Sequence, residues 1–331
     1  MKIITQLPLA GRVKALLQGW HDFMARYRMA RNHTTIYAAL AANLLIAVIK
    51  FISGFATRSS AMLSEAVHSL VDTANQLLLL LGIRNSKRKP DANRPFGYGK
   101  ELYFWSFIVS ILIFGVGGSV SIYQGIVHLR NPPPLEDPTW NYVVLALSFL
   151  FDGSSLVIAA REFNKVRGDS SWWMAIRRSK DPASFVVLFE DSAAVIGLLV
   201  VAVFVYLGHL FNNPYFDGIA SLIVGALLTI VSVLLARESR SLLMGEGINN
   251  DTQKQIIQLV NKDPAVQGVQ HIFSTYQSPE EVMLMVMLSF KPDLDTEDIY
   301  DAIERIREAV KQAYPLVHYI IIQPEEAAVK K

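Results

Sequence analysis

Six stretches of this chain, near residues 36–57, 60–82, 102–127, 139–162, 182–208 and 214–237, run for about 20 residues or more with few charges. An apolar run of about 20 residues is long enough to cross the hydrocarbon core of a bilayer as a helix. Within lipid every backbone N–H and C=O must be bonded internally, so only helices and closed barrels span it. Runs of this length are about twice that of a barrel strand, and the pattern therefore predicts a six-helix transmembrane bundle. An ordinary soluble enzyme is excluded. Charged residues make up only 18% of the 331, against about a quarter in soluble domains, which agrees.

The net charge of +2 hides an asymmetry. Residues 245–331 carry 8 Lys and Arg against 14 Asp and Glu, whereas the remainder carries 23 against 15. A basic membrane part followed by an acidic tail domain is expected. The chain divides into a basic N-terminal segment (1–34), the six-span domain (35–238) and a C-terminal α/β domain (245–331). Leu16, Trp20, Phe23 and Tyr27 fall at helical spacing in the first segment, which reads as a helix lying on the membrane surface or as a frayed basic tail. Lys and Arg concentrate before span 1, between spans 2 and 3, and between spans 4 and 5, with six in each place. The opposite loops hold only Arg58 and Arg130. Basic loops face the cytoplasm, so both termini are expected there. With no transit signature, a bacterial inner membrane is the expected compartment.

The tail reads as helix (251–262), two extended runs (266–276 and 282–290), an amphipathic helix and a final β-branched run from Val317 to Ile322. Ile299, Ala302, Ile303, Ile306 and Val310 share one face of the second helix, and Asp295 with Asp298 suits its cap. A three-stranded sheet with helices on one face is predicted.

Ionisable residues inside a span are costly and mark function. Span 2 holds Glu65, His68 and Asp72 at spacings of three and four, which places all three on one helix face. Span 5 holds Glu190 and Asp191, span 4 holds Asp152, and span 1 holds Asn43 and Lys50. At a rise of about 1.5 Å per residue Asp72, Asp152, Glu190 and Asp191 lie at one level, about 10–14 Å above the cytoplasmic face, with His68 at about 18 Å. A divalent cation resolves the repulsion among them, and protons resolve it when the cation leaves. His68 titrates near neutral pH when unperturbed and is the natural group to trade a proton for metal. The alternative is a set of interhelical hydrogen bonds, with Lys50 compensating one acid and Ser154 or Ser155 holding Asp152. The sequence contains no cysteine, which removes thiolate sites and leaves His, carboxylate, amide, carbonyl or water as ligands.

These residues resemble the cation diffusion facilitator family of divalent-metal/proton antiporters. Ser59–Asp72, SSAMLSEAVHSLVD, is similar to the family's second-helix motif. Pro95–Trp105 (PFGYGKELYFW) resembles the entry to its third helix, and Tyr215–Gly225 (YFDGIASLIVG) its sixth. The resemblance implies that His68, Asp72 and Asp191 bind the transported metal. Where the family places His or Asp four residues before the fifth-helix Asp, this chain has Val187. Val186–Gly197, VVLFEDSAAVIG, resembles instead the branch containing zinc transporter nine, with its adjacent Glu-Asp pair. Glu190 is the first candidate for the missing ligand, followed by Glu65, Asp152 or water. Such an oxygen-rich set suits zinc and also manganese, iron or cobalt. The tail has only His271 and His318, and both read as ordinary surface or packed histidines. The resemblance also implies a homodimer formed through the tail domain. Gly115, Gly117, Gly118, Gly218 and Gly225 allow close helix approach, and Glu246 is a candidate partner for Lys100.

The function expected is export of a divalent cation, zinc first, in exchange for protons, with no prosthetic group and with the lipid bilayer as its medium. A membrane-anchored metal sensor or scaffold is the rival. An intramembrane hydrolase lacks a Cys nucleophile, an HExxH motif or a catalytic Ser constellation. Nucleic-acid binding has no support, because orientation already accounts for the basic loops.

Overall fold

The computed structural model describes residues 33–326, except 136, 168–170, 173, 174, 177 and 178. The N-terminal surface helix expected before Asn32 lies outside the described residues. The six expected spans are six helices: α1 (His33–Ala56), α2 (Ser60–Ser86), α3 (Glu101–Arg130), α4 (Thr139–Arg167), α5 (Pro182–Leu210) and α6 (Tyr215–Met244). Five of them are long and apolar enough to cross a membrane, and α1 carries a shorter apolar stretch, Asn43–Ala56. Large apolar side chains such as Leu45, Phe55, Leu150 and Tyr206 are exposed around the bundle, as a lipid-facing surface requires.

Local chemistry sets the helix ends. Asp181 caps α5 by accepting from Ala183 N–H, with Pro182 in the first turn where its missing N–H costs nothing. Ser59 caps α2 by accepting from Met62 N–H at 3.2 Å. The same end is tied to α6, where Asp217 accepts from Ser59 Oγ, from Ser60 N–H at 2.7 Å and from Ser60 Oγ at 2.6 Å. His128 of α3 stands 3.2 Å from the Asp217 carboxylate, so three helices meet there. At the other end of α6, Gly245 takes φ +101° and stops the helix in the left-handed conformation that glycine favours.

Small residues let α3 and α6 pack closely. A Cβ on Gly125 would stand 2.7 Å from Leu222 Cγ and 2.9 Å from the Gly218 carbonyl, and one on Gly225 would stand 2.7 Å from Ile122. Gly115, expected at this contact, has nothing within 4 Å of its missing Cβ, whereas Gly125 was not anticipated there. Near the middle of α3, Ile113–Gly118 widens into a π turn, a local irregularity common at functional positions. Hydroxyl bonds stitch the same helices together. Ser221 Oγ donates to the Ser121 carbonyl at 2.8 Å and Ser232 Oγ to that of Ser110 at 2.7 Å.

The tail forms α7 (Asn250–Val260), β1 (Val266–Ser278), β2 (Glu281–Phe290), α8 (Thr296–Ala313) and β3 (Val317–Pro324). Strand order is β1-β2-β3, with β1 antiparallel and β3 parallel to the central strand. Val282, Leu284, Val286 and Leu288 alternate along β2 and bury against Ile256 and Val260 of α7 and Ile306 and Val310 of α8. Both helices therefore cover one sheet face, as the pattern predicts. Asp295 and Asp298 form the expected capping box of α8. Arg305 of α8 donates two hydrogen bonds, at 3.0 and 3.1 Å, to Asp263 beyond the end of α7.

The tail contacts the bundle at several points. Glu246 pairs with Lys180 at 2.5 Å and not with Lys100, because the residues just before α5 bring Lys180 over the end of α6. The Glu246 carbonyl also accepts from Tyr276 N–H at 3.0 Å. Phe96, in the loop between α2 and α3, meets Tyr319 of β3 edge-on at 5.6 Å.

Candidate metal centre

The polar residues singled out in the spans lie on the facing sides of α1, α2, α4 and α5. His68 and Asp72 are one helical turn apart on α2, with Nδ1 and Oδ1 3.3 Å apart. His68 is 1% exposed, and neither of its ring nitrogens has a hydrogen-bond partner among the described residues. Asp72 Oδ1 is likewise buried and unbonded. Such orphaned polar atoms are rare in native interiors and call for a ligand, ion or water.

Glu190 on α5 is buried and accepts from Asn75 Nδ2 at 2.5 Å. Its carboxyl also stands within hydrogen-bonding reach of Asp72, linking α2 to α5 directly. Two carboxyls this close need a positive charge or a shared proton between them. Asp191 points another way, since adjacent residues diverge by about 100° around a helix. Its Oδ2 accepts from Ser155 Oγ at 2.7 Å. Asp72, Asp152 and Asp191 nevertheless line one narrow cleft, together with Asn43, Ser69, Gln76 and Ser155. Val187 is partly buried and packs with the apolar core, away from any polar role.

Glu65 and Asp152 have a different neighbour. Lys50 on α1 is fully buried, with Nζ 3.4 Å from Glu65 Oε2, 3.6 Å from Asp152 Oδ2 and 2.8 Å from Ser69 Oγ. Glu65 Oε1 rests in the notch of Gly197, where a Cβ would stand 2.6 Å away. Neither Ser154 nor Ser155 holds Asp152: Ser154 Oγ bonds the Phe151 carbonyl, and Ser155 goes to Asp191. His68, Asp72 and Glu190 thus stand at the α2–α5 contact, Glu65 and Asp152 flank Lys50, and Asp191 lines the cleft between Asp72 and Asp152. Among the described residues no three His, Asp or Glu side chains already share one ligand geometry. The acids are instead turned to nearby donors, namely Asn75, Ser155 and Lys50. Ser155 and Asn75 as donors to the acids are visible only in three dimensions, because serine and asparagine spacing carries no comparable signal. In the tail, His271 and His318 are both exposed and lie on different strands.

A family model described as the cation efflux transmembrane domain matches residues 36–244, and one described as the cation efflux protein cytoplasmic domain matches residues 248–327. The chain is 33% identical over 327 residues to a Xenopus laevis protein named proton-coupled zinc antiporter SLC30A9, mitochondrial, covering 94% of this chain and 58% of that protein. It is 33% identical over 268 residues to Arabidopsis thaliana metal tolerance protein C4, covering 80% of this chain and 57% of that one. With the Serratia proteamaculans cation-efflux pump FieF identity is 24% over 296 residues, covering 89% and 93%. The chain spans between half and three-fifths of the length of the first two relatives.

Proposed function

This chain belongs to the cation efflux family, the cation diffusion facilitators, and from that premise we propose that it is a secondary transporter exporting a divalent cation, zinc first, in exchange for protons. The observation that carries the reading is the approach of Glu190 on α5 to the His68–Asp72 pair on α2, with Asp191 lining the same cleft as Asp72 and with orphaned ligand atoms on His68 and Asp72. Glu190 takes the place left by Val187. One imidazole and three carboxylates can bind zinc, and their oxygen content also admits manganese, iron or cobalt. The relatives named as zinc antiporters favour zinc.

In this reading the metal enters from the basic side of the bundle and is held between α2 and α5. It leaves on the opposite side after the helices rearrange around the site. The same carboxylates and His68 take up protons for the return, so one set of groups carries both cargoes. The basic loops support a cytoplasmic location for both termini, and we assign the chain to a bacterial inner membrane and its tail domain to a homodimer contact.

Proteoliposomes holding a metal-sensitive dye and a pH dye test the reading. Zinc should drive a countermovement of protons, and Asp72→Ala or Asp191→Ala should abolish both signals. Metal-driven proton flux that survives both substitutions would refute the site. A metal sensor without transport would bind zinc in the same vesicles and move none.

A further inference from the structure

We propose that Lys50 is a specificity-determining residue: its ammonium stands where a second cation would otherwise be held, and it keeps Glu65 and Asp152 out of the cargo's ligand shell. The inference rests on the transport reading above and concerns residues outside the four ligands assigned there. Lys50 Nζ is surrounded by oxygen, with Ser69 Oγ at 2.8 Å, Glu65 Oε2 at 3.4 Å and Asp152 Oδ2 at 3.6 Å. Two carboxylates and a hydroxyl form the donor set that hard divalent ions prefer. The carboxylates come from α2 and α4 and the ammonium from α1, so three helices build this cluster. The other Glu65 oxygen, Oε1, lies in the notch of Gly197, buried and with no hydrogen-bond partner among the described residues.

The cluster also shares a wall with the cargo site. Ser69 and Asp152 line the same cleft as Asp72 and Asp191. The ammonium fills the place a second divalent ion would take between Glu65 and Asp152 and offsets the carboxylate charge that would draw one there. It also leaves the ligand set proposed above with the imidazole of His68 as its nitrogen donor. Imidazole favours zinc over hard cations, whereas an all-oxygen shell favours manganese or calcium. Lys50 therefore biases the transporter toward one ion per cycle and away from oxygen-preferring ions. A buried lysine is costly in a membrane and an apolar side chain could fill the same space, so the ammonium calls for a reason.

The test is metal content of the purified full chain in detergent, dialysed against Zn²⁺ or Mn²⁺ and counted by elemental analysis relative to the unsubstituted protein. Lys50→Met should gain one Mn²⁺ per chain, Lys50→Arg should gain none, and adding Glu65→Gln or Asp152→Asn to Lys50→Met should remove the gain. A folded Lys50→Met protein with unchanged Mn²⁺ and Zn²⁺ content would overturn the proposal. If Lys50→Met does not fold, the triple variant Lys50→Met/Glu65→Gln/Asp152→Asn, which carries no cluster charge, should still bind zinc as the unsubstituted protein does. Loss of zinc from that folded variant would place Glu65 or Asp152 in the cargo shell and overturn it equally. Asp72→Ala measured in parallel separates the two readings: retained zinc there defeats the cargo site, while the Lys50→Met comparison stands on its own count.

Discussion

Replacing Glu190 by Gln decides which acid stands in for the residue that Val187 displaced. The substitution keeps shape and keeps an oxygen for Asn75 to bond, but removes one negative charge from a side chain that is 4% exposed. At an effective dielectric constant of about 20, two unit charges about 4 Å apart interact by about 4 kcal/mol, and a divalent ion doubles that attraction to about 8 kcal/mol. Part of the loss is returned, because neutral Gln no longer repels Asp72 in the empty site. That repulsion is also about 4 kcal/mol at the same separation. The net weakening is about 4 kcal/mol, on the order of a thousandfold in Kd. Competition with a fluorescent zinc chelator on the purified full chain reads this directly. Asp152→Asn is the internal comparison, since Lys50 already neutralises that carboxylate, and it should shift zinc affinity by less than about tenfold. The assignment of Glu190 fails if Glu190→Gln binds zinc within a factor of about three of the unsubstituted protein while Asp152→Asn loses a thousandfold.

Other consequences follow from packing and charge outside the cleft. Gly125→Ala should destabilise the bundle by about 1–3 kcal/mol through overpacking against Leu222 and the Gly218 carbonyl, whereas Gly115→Ala should be close to neutral; thermal unfolding of the two variants in detergent compares them. In the tail domain, partial burial opposes the charge on Asp263, but the hydrogen bonds from Arg305 and from Ala265 N–H outweigh it and hold the carboxyl below its usual range. A depressed carboxyl contributes stability that is present above its unfolded value, about 3.9, and is lost as pH falls through the lower folded value. Asp263→Asn should therefore speed hydrogen exchange in α7 and α8 at pH 7, and the difference from the unsubstituted protein should vanish at strongly acidic pH. Lys180→Met should cost less than about 1 kcal/mol in global stability, as expected of a pair partly open to water; thermal unfolding in detergent checks it, and a larger loss would show that the Glu246 contact carries more than a surface pair does.

The helices were legible because lipid imposes one rule on every residue of a span, and a run such as Pro182–Leu210 has no soluble alternative. The tail was legible for a different reason, as Val282, Leu284, Val286 and Leu288 alternate with a period that only a half-buried strand explains. His68 and Asp72 could be read together because a spacing of four fixes one helix face whatever the packing. Their grouping with Glu190 rather than with Glu65 could not. That choice depends on rotation of α5 against α2 and on Asn75 and Ser155, whose hydrogen bonds span 115 and 36 residues of sequence. Lys50 was visible as a compensating charge, but which acids it joins is set by how α1 and α4 meet. The pairing of Glu246 with Lys180 escaped for the same reason, since it needs the course of the chain leading into α5.

Helix α6 runs without a break from the cluster where Asp217 joins α2 and α3 to the glycine where the tail domain begins. Its 30 residues make a rod about 45 Å long. Pivoted at the Asp217 end, a tilt of about 5° carries the other end through about 4 Å, more than the width of a water molecule. At that far end Glu246 grips both Lys180 and the backbone of β1. A tilt about the Asp217 end would therefore be largest at the end of α6 where Glu246 makes both of its contacts, so the length of this one helix sets how far the two ends of the bundle would be coupled.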